Sequence, residues 1–363
     1  TGAQAQGLDM RRKSDCPRCL CFCGTSQLEP RPPGGIFPLF TRTVEVAVLR
    51  VALVGAGGMA RNYRAVYARL PQVRWVLAVD VSEEALALCR ELGVERTSGR
   101  FEDALADRPL RLQAGRFTQA VAALQAGKHV LLQKPMANTL DAADRIVAAT
   151  RTARGKLGMY MSSYANPLIW AIKDILDKGC LGQIQSLRAR DAHRGGLSKQ
   201  RDPKTNWRSS KDLTGGGSFT QLSIHAINLF QWWLGAKITE ISAFTANQYC
   251  PQVGGDDITV AIGKFAGSPP RFATFDSGWA SDLLAREIYG TKGWIRLLNN
   301  DQVLEMNLDE PYEGQIISYT TPGRIARFDA PPHKLDNIDN SFNPHRVFIE
   351  RLLAGQEPVM KAE

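Results

Sequence analysis

The sequence predicts an α/β fold that starts with a doubly wound parallel sheet, and three neighbouring features indicate it. The aliphatic run Val51–Val54 leads directly into a G-x-G-x-x-A pattern that begins at Gly55. The residues after this pattern have the composition of a helix. A second apolar strand, Val76–Val79, then ends at Asp80, about twenty residues after the glycines. This order predicts the first βαβ unit of a Rossmann domain.

Each position of the glycine pattern has a physical reason in a loop that surrounds a phosphate. Gly55 permits the tight turn, Gly57 lets backbone amides approach an anion, and Ala60 keeps the helix close to the sheet. Gly58 and Met59 complete the loop. The helix N-terminus then offers unpaired N–H groups and the positive end of its dipole. The loop is therefore predicted to bind a dinucleotide, with a purely structural glycine turn as the alternative.

Asp80 bears on which dinucleotide this is. A carboxylate at the end of the second strand can accept a hydrogen bond from a ribose 2′-hydroxyl, whereas it repels the 2′-phosphate of NADP. NAD is therefore the predicted cofactor, and NADP is the less favoured alternative.

Length and composition exclude several classes of protein. The 363 residues are enough for two domains, and 44% apolar with 22% charged residues is typical of a soluble globular chain. No apolar run approaches the ~20 residues that a membrane helix needs. The net charge of +9 does not predict nucleic-acid binding, because basic residues are dispersed among carboxylates. The densest basic cluster, Arg188–Lys211, predicts a solvated loop, with a pocket edge for an anionic substrate as the alternative.

The cysteines form two groups. Cys89, Cys180 and Cys250 are far apart and predict small buried residues of a reduced, cytoplasmic protein. The segment Cys16–Cys23 reads C-x-x-C-x-C-x-C, which could hold zinc or an iron–sulfur centre. No companion Cys or His pair follows at zinc-site spacing, so we predict no metal. Residues 1–43 lack helical or strand periodicity and predict a disordered tail.

After this tail, strand and helix patterns alternate up to Ser162. We predict strands at Val44–Leu53, Val76–Val79, His129–Leu132 and Leu157–Ser162, and helices at Asn62–Leu70, Glu83–Leu92 with Ser82 as N-cap, Phe101–Ala106, Thr118–Ala126 and Asp141–Thr150. A further apolar strand is required near residue 110. The segment Arg108–Arg116 is instead basic and has no β-branched residue, which predicts that this strand is missing.

The glycine loop together with Ala126–Pro135, A-G-K-H-V-L-L-Q-K-P, resembles the GFO/IDH/MocA oxidoreductases, which include glucose–fructose oxidoreductase and inositol dehydrogenases. Further matches follow in the family's order: Tyr164–Pro167, Leu181–Ile184, Trp207-Arg208, Gly215–Gly217 before His225, Asp256–Thr259 and Gly290–Gly293. The chain is identified as a member of this family over residues 47 to about 355.

The resemblance implies two domains after the tail. Residues 44–165 would form the Rossmann domain, and residues 166–363 an α/β domain with a large, open, mostly antiparallel sheet. One face of that sheet would cover the nicotinamide, while the other commonly pairs subunits, so a homo-oligomer is expected. Local patterns agree with strands at Ile184–Ala192, Ile238–Tyr249, Thr259–Phe265, Arg271–Gly278 and Arg286–Tyr289.

The resemblance also implies a catalytic pair. The family's E-K-P motif places its lysine beside the nicotinamide, usually with a cis bond to the proline; here it reads Gln133-Lys134-Pro135, so the acid is lost. Lys134 can stabilise a developing alkoxide, or be a surface lysine. The family's second element is an Asp four residues before a His. Here Gln221 precedes His225, which is the candidate base. The alternative interpretation is that His225 is a hydrogen-bonded histidine of the core. Gln221 can hydrogen-bond the imidazole or a sugar hydroxyl, but it cannot stabilise an imidazolium by charge.

The leading functional interpretation is an NAD(P)-dependent dehydrogenase acting on a secondary alcohol of a sugar, cyclitol or sugar acid. Its pocket candidates, which suit a polyol substrate, are Asn166, Trp207, Arg208 and Gln221. A non-catalytic dinucleotide-binding sensor or co-regulator is the first alternative, because both family acids are absent. The second is a defective gene product that lacks one Rossmann strand, and that ends at Glu363 without a further helix packed on the first domain.

Overall fold

The computed structural model describes residues 48–57, 60–107, 110–114, 117–198, 206–330, 337 and 339–361. The predicted tail 1–43, the Cys16–Cys23 cluster, and the loop residues Gly58 and Met59 lie outside the described residues. Within the described ranges, no helix combines the length and apolar character needed to cross a membrane.

The first sheet is entirely parallel. Its strands are β1 (Leu49–Val54), β2 (Val73–Val79), β3 (Arg96–Ser98), β4 (Leu110–Ala114), β5 (Val130–Gln133) and β6 (Leu157–Tyr160). They lie in the order β3-β2-β1-β4-β5-β6, with parallel pairing throughout. The strand order reverses between β1 and β4, where doubly wound folds form their ligand crevice. The predicted Rossmann-type domain is confirmed.

The prediction that one Rossmann strand is missing is wrong. β4 pairs in parallel with both neighbours, and Leu112 lies opposite Ala52 of β1 and Val130 of β5. The ladder uses main-chain groups that any residue except proline supplies, so two neighbouring strands can order a strand of poor intrinsic propensity. The interpretation as a product lacking this strand therefore loses its main support.

Five helices connect these strands: α1 (Ala60–Arg69), α2 (Glu83–Glu91), α3 (Glu102–Ala106), α4 (Phe117–Gln125) and α5 (Leu140–Thr152). Successive side chains of β1 point to opposite faces of the sheet and so belong to two buried clusters. Val51 and Leu53 pack on the α1 side, while Ala52 and Val54 pack on the α4 side. The predicted N-cap of α2 is confirmed, because Ser82 Oγ accepts from the Ala85 amide at 3.3 Å.

The second domain is organised around one large sheet. Its elements are α6 (Pro167–Asp177), β7 (Ile184–Ala192), α7 (Lys211–Thr214), α8 (Ile224–Leu234), β8 (Ile238–Ala246), β9 (Ile258–Phe265), β10 (Arg271–Gly278), β11 (Leu283–Gly290), β12 (Gly293–Leu298), β13 (Val303–Leu308), β14 (Tyr312–Glu313), β15 (Ser318–Tyr319), β16 (Ala326–Asp329) and α9 (Pro344–Leu353). Eight strands lie in the order β16-β13-β12-β11-β7-β10-β9-β8, and only β7 and β10 pair in parallel. The predicted mostly antiparallel sheet is confirmed.

The last described helix, α9, packs back onto the first domain. Phe348 and Ile349 belong to the same buried cluster as the α1-side residues of β1. The hydroxyl of Tyr67 on α1 lies 2.9 Å from His345 Nδ1, and the Met159 amide donates to the Met360 carbonyl at 3.0 Å. This packing was expected of a further helix, whereas in this structure α9 supplies it.

The basic cluster Arg188–Lys211 is not one solvated loop. Arg188 and Arg190 lie on β7, where Arg190 pairs with Asp276 and Arg188 lies over the Tyr289 ring at 5.5 Å. Strand pairing fixes these side chains on one face of the sheet. Residues 199–205 of the cluster lie outside the described residues.

Candidate active site

The glycine loop leaves β1 at the edge where parallel strands end. Gly55 has φ +86°, in the left-handed region that favours glycine, and its amide donates to the Val79 carbonyl at 2.8 Å. A Cβ built on Gly55 or Gly57 meets no atom within 4 Å, so both glycines border open space. α1 starts at Ala60, three residues after Gly57, and a helix N-terminus offers unpaired N–H groups to an anion. A pyrophosphate fits an arrangement of this kind.

Asp80 connects the glycine loop to the end of β2. Its Oδ2 accepts from the Ala56 amide at 2.7 Å, and its Oδ1 accepts from the Ser82 amide at 2.8 Å. The carboxylate is partly exposed and keeps lone pairs beyond these two bonds. It therefore lies where a carboxylate could hold a ribose, and it also orders the loop.

Lys134 lies at the end of β5, before a cis peptide bond to Pro135. Its ammonium donates to the backbone carbonyl of Gln221 at 2.8 Å. Burial, and then the charge of Arg208, lower the pKa of Lys134 to about 8, while Asp191 opposes this shift. The side chain is only partly accessible, so Lys134 is not an ordinary surface lysine. It can exist in both protonation states near neutral pH.

Gln133 holds the strand end without adding a charge. Its amide nitrogen donates to the hydroxyl of Tyr63 on α1, and its Oε1 accepts from the Lys134 amide at 2.8 Å. The Tyr63 ring meets Tyr160 edge-on at 4.9 Å between centroids. These contacts fix the position of Lys134, although they cannot stabilise its ammonium by charge.

His225 lies in the first turn of α8, where its Nδ1 is 3.4 Å from Ser163 Oγ. Burial lowers the pKa of His225 well below its usual range, and the positive charges of Lys134 and Arg286 lower it further. The imidazole is therefore neutral at neutral pH. A neutral ring can accept a hydrogen bond from a hydroxyl, but an imidazolium here would face two cations.

Comparison of the chain with known protein families agrees with these features. Residues 49–161 match the protein family described as "Oxidoreductase family, NAD-binding Rossmann fold". Residues 169–296 match the family described as "GFO/IDH/MocA C-terminal domain". The chain belongs to the GFO/IDH/MocA oxidoreductase family.

Named relatives include two sugar-converting enzymes. Levoglucosan dehydrogenase of Pseudarthrobacter phenanthrenivorans is 25% identical over 217 residues, which cover 54% of this chain and 53% of that protein. The 1,5-anhydro-D-fructose reductase of Ensifer adhaerens is 25% identical over 254 residues, covering 67% and 74%. The chain thus spans about half the length of the first of these relatives.

Solved structures show the same fold. Aldose-aldose oxidoreductase from Caulobacter crescentus, complexed with glycerol, has a TM-score of 0.72 at 22% identity, covering 87% of this chain and 92% of that one. Levoglucosan dehydrogenase in complex with NADH and levoglucosan has a TM-score of 0.72 at 17% identity, covering 85% and 90%.

In this GFO/IDH/MocA chain the segment between Gly217 and α8 is not regular α-helix. Residues Phe219–Ser223 form a π-helical turn before α8. The Gln221 amide nitrogen donates to the carbonyls of Arg208 and Gly216, each at 3.1 Å, rather than to the imidazole of His225. A π turn changes the phase of side chains relative to a regular α-helix, so spacing of four did not place the Gln221 amide on the imidazole.

Asp256 caps this turn and connects two of the sequence motifs. Its Oδ1 accepts from the Gly217 amide at 3.1 Å, and its Oδ2 accepts from the Phe219 amide at 2.8 Å and from Ser218 Oγ at 2.7 Å. A Cβ on Gly217 would lie 1.9 Å from the Asp256 carbonyl oxygen. The glycine run and the D-D-I-T motif are thus two sides of one close backbone contact, which the sequence analysis did not assign.

The predicted pocket residues separate into two groups. Trp207 and Arg208 share a short 3₁₀ turn, with the guanidinium 5.5 Å from the indole centroid, and the Arg208 carbonyl accepts from Gln221. Trp207 is half exposed, as a pocket edge requires. Asn166 is fully buried; its Oδ1 caps α6 through the Leu168 amide at 2.9 Å, and its Nδ2 donates to a backbone carbonyl. Asn166 therefore supports the fold rather than lining the site with the others.

A buried charged group beside the site was missed by the sequence analysis. Arg286 Nη2 donates to Asp191 Oδ1 at 2.8 Å, and its Nη1 pairs with Asp301. All three side chains are buried. No local pattern announces this group, because β7, β11 and the turn after β12 bring its members together.

Proposed function

We propose that this protein is an NAD-dependent oxidoreductase that interconverts a secondary alcohol and a ketone on a sugar, cyclitol or sugar acid. The observation that carries the proposal is the partly accessible Lys134 ammonium, with a pKa near 8, at the end of β5 in the sheet that bears the glycine loop. The names of levoglucosan dehydrogenase and 1,5-anhydro-D-fructose reductase support sugar derivatives as the substrate class.

Lys134 is the proposed proton-exchanging residue. NAD, held by Gly55, Gly57 and Asp80, would supply the hydride acceptor. The neutral amine of Lys134 takes the proton of the substrate hydroxyl during oxidation, and the ammonium returns it during reduction. A pKa of about 8 suits both directions, because general acid–base catalysis is most efficient when the pKa is close to the working pH.

His225 orients the substrate in this scheme. The sequence predicted it as the base, but burial, and then the neighbouring charges of Lys134 and Arg286, disfavour its protonated form. The neutral ring instead accepts a hydrogen bond from a second, non-reacting hydroxyl of the polyol, while the contact to Ser163 holds its orientation. Trp207 would pack on the apolar face of the sugar.

A panel of sugars and cyclitols, incubated with NAD and NADP while nicotinamide absorbance is followed, tests the activity. We expect oxidation of at least one polyol, with a rate that rises as the pH passes about 8, because the neutral form of Lys134 is then populated. A folded protein that binds NADH but turns over none of the panel would contradict the proposal. That result would favour the non-catalytic sensor, which the uncharged Gln133 and Gln221 motivate.

Asp80 is proposed to select NAD over NADP. Replacing Asp80 by Ser removes the charge that would face a 2′-phosphate, so we expect the kcat/KM ratio to move toward NADP by roughly tenfold or more. Binding of both cofactors should also weaken, because the Ala56 amide loses its partner. Steady-state kinetics with both cofactors measure the ratio, and an unchanged preference would refute this role.

We also propose a homo-oligomer formed through the outer face of the large sheet. Phe244 is 87% exposed, and Val260, Ile262 and Phe272 on the adjoining strands are about half exposed. Phe244 lies directly opposite Val260, so these side chains form one apolar surface. Contiguous exposed apolar surface of this kind marks protein–protein contacts.

Phe244→Lys should convert the oligomer to monomers, because a charge would be buried in an apolar contact. Light scattering after size exclusion measures the mass. Val81→Lys is the matched control, since Val81 is 97% exposed on the first domain and should leave the mass unchanged. An unaltered mass for Phe244→Lys, or a monomeric unmodified protein, would contradict the proposed interface.

A further inference from the structure

Asp191 is a buried carboxylate whose two oxygens differ in their hydrogen bonding. Its side chain is 1% exposed, and its Oδ1 accepts from Arg286 at 2.8 Å. Across the part of the chain that the structure describes, no protein group hydrogen-bonds its equally buried Oδ2. A buried carboxylate oxygen without a partner is costly, so such an atom needs either a proton or a neighbouring cation.

The sheet places Asp191 beneath the π turn that contacts Lys134. Asp191 lies opposite Ser277 in the β7–β10 ladder, and Ser277 Oγ is 3.0 Å from Ser218 Oγ at the start of that turn. The carbonyl of Gln221 in the same turn accepts from Lys134 Nζ at 2.8 Å. Asp191 and Lys134 therefore both lie next to this turn.

The charges of the buried group do not balance without a further cation. Asp191 and Asp301 share the single guanidinium of Arg286, which leaves one negative charge. Burial raises the pKa of Asp191 to about 6; Arg286 lowers it, Asp301 raises it, Lys134 lowers it and Asp276 raises it. The ammonium of Lys134 is the charge that completes a neutral set.

We propose that Asp191 is a positioning residue whose negative charge stabilises the ammonium form of Lys134, the form that returns a proton to the substrate oxygen during reduction. It supplies the negative charge that the family acids would have provided at Gln133 and Gln221. This role rests on the proposed function, in which Lys134 exchanges the hydroxyl proton. Arg208 lowers the pKa of Lys134 and so opposes the effect of Asp191. The charge of Lys134 in turn helps to keep His225 neutral.

The rate at which Lys134 reacts with an amine-selective acylating reagent, followed by peptide mass spectrometry over a range of pH, tests the proposal. Only the neutral amine reacts, so the pH profile reports the protonation of Lys134 without substrate or turnover. Asp191→Asn should lower the pKa of Lys134 and speed its labelling near neutral pH by roughly tenfold. The pH profile of alcohol oxidation should move to lower pH in the same variant.

Asp301→Asn is the matched control, because it removes the other carboxylate from Arg286 but does not act on Lys134 directly. Its labelling profile should stay close to that of the unmodified protein. If Asp191→Asn does not fold, Asp191→Ser leaves room for a water beside Arg286 and answers the same question. Equal profiles for the unmodified protein and the Asp191 variant, or equal changes in both Asp variants, would overturn the proposal.

The labelling result separates this proposal from the proposed function. A shifted labelling profile in a protein that oxidises no polyol would leave the coupling of Asp191 to Lys134 intact and remove only the activity. An unshifted profile in an active enzyme would remove the role of Asp191 and leave the activity intact.

Discussion

Replacing Lys134 by Met is expected to reduce turnover by about 10²–10⁴-fold, the usual contribution of a positioned acid or base. Met keeps much of the side-chain volume but can neither donate to the Gln221 carbonyl nor exchange a proton with a hydroxyl. The glycine loop is untouched, so the affinity for NADH should change little. Steady-state kinetics with the best substrate and calorimetry with NADH measure the two quantities.

Lys178→Met provides the control for Lys134→Met. Lys178 is an exposed lysine that pairs with Asp174 on its own helix, and its loss should leave turnover unaffected. A Lys134→Met enzyme with nearly full activity would mean that another group exchanges the proton. A variant that also loses NADH binding would mean that Lys134 acts mainly on the cofactor or on the fold.

Gly217→Ala is expected to destabilise the protein by about 1–3 kcal/mol and to reduce turnover as well. The added Cβ would lie 1.9 Å from the Asp256 carbonyl oxygen and 2.4 Å from its amide nitrogen, and neither backbone atom can move away alone. The cap that Asp256 forms on the Phe219 turn would shift, and Gln221 and His225 follow that turn. Thermal unfolding and kcat together measure the effect.

Gly278→Ala is the matched control for Gly217→Ala. Gly278 ends β10 close to the same loop, but the nearest atom to an added Cβ there is 3.8 Å away, which is ordinary contact. Its melting temperature and turnover should remain near those of the unmodified protein. If Gly217→Ala also leaves the melting temperature and the turnover unchanged, the close approach to Asp256 does not hold the turn in place.

Much of the site could be predicted because its parts follow from local patterns. A strand that runs into Gly55 and a strand that ends at Asp80 must meet at one edge of a parallel sheet, and the structure joins them through the Ala56 amide. Lys134 was predictable for the same reason, since β5 ends beside it. The roles of all these residues in binding and catalysis remain predictions.

Other parts could not be read from the sequence because tertiary contacts decide them. Asp191 and Arg286 are 95 residues apart and meet only through the pairing of β7 with β11. β4 forms from a basic segment because both neighbouring strands offer backbone partners. The π turn moves the Gln221 amide off the imidazole, and burial turns Asn166 from a pocket candidate into a cap.

The geometry of a crystal soaked with NADH tests the central claim most directly. The account predicts the pyrophosphate on the backbone amides that follow Gly55, a ribose on Asp80, and the nicotinamide beside Lys134 and His225. Its reactive carbon should border a space where a substrate carbon can approach within roughly 3–3.5 Å. A nicotinamide held on another surface, or separated from Lys134 by the protein itself, would contradict the account.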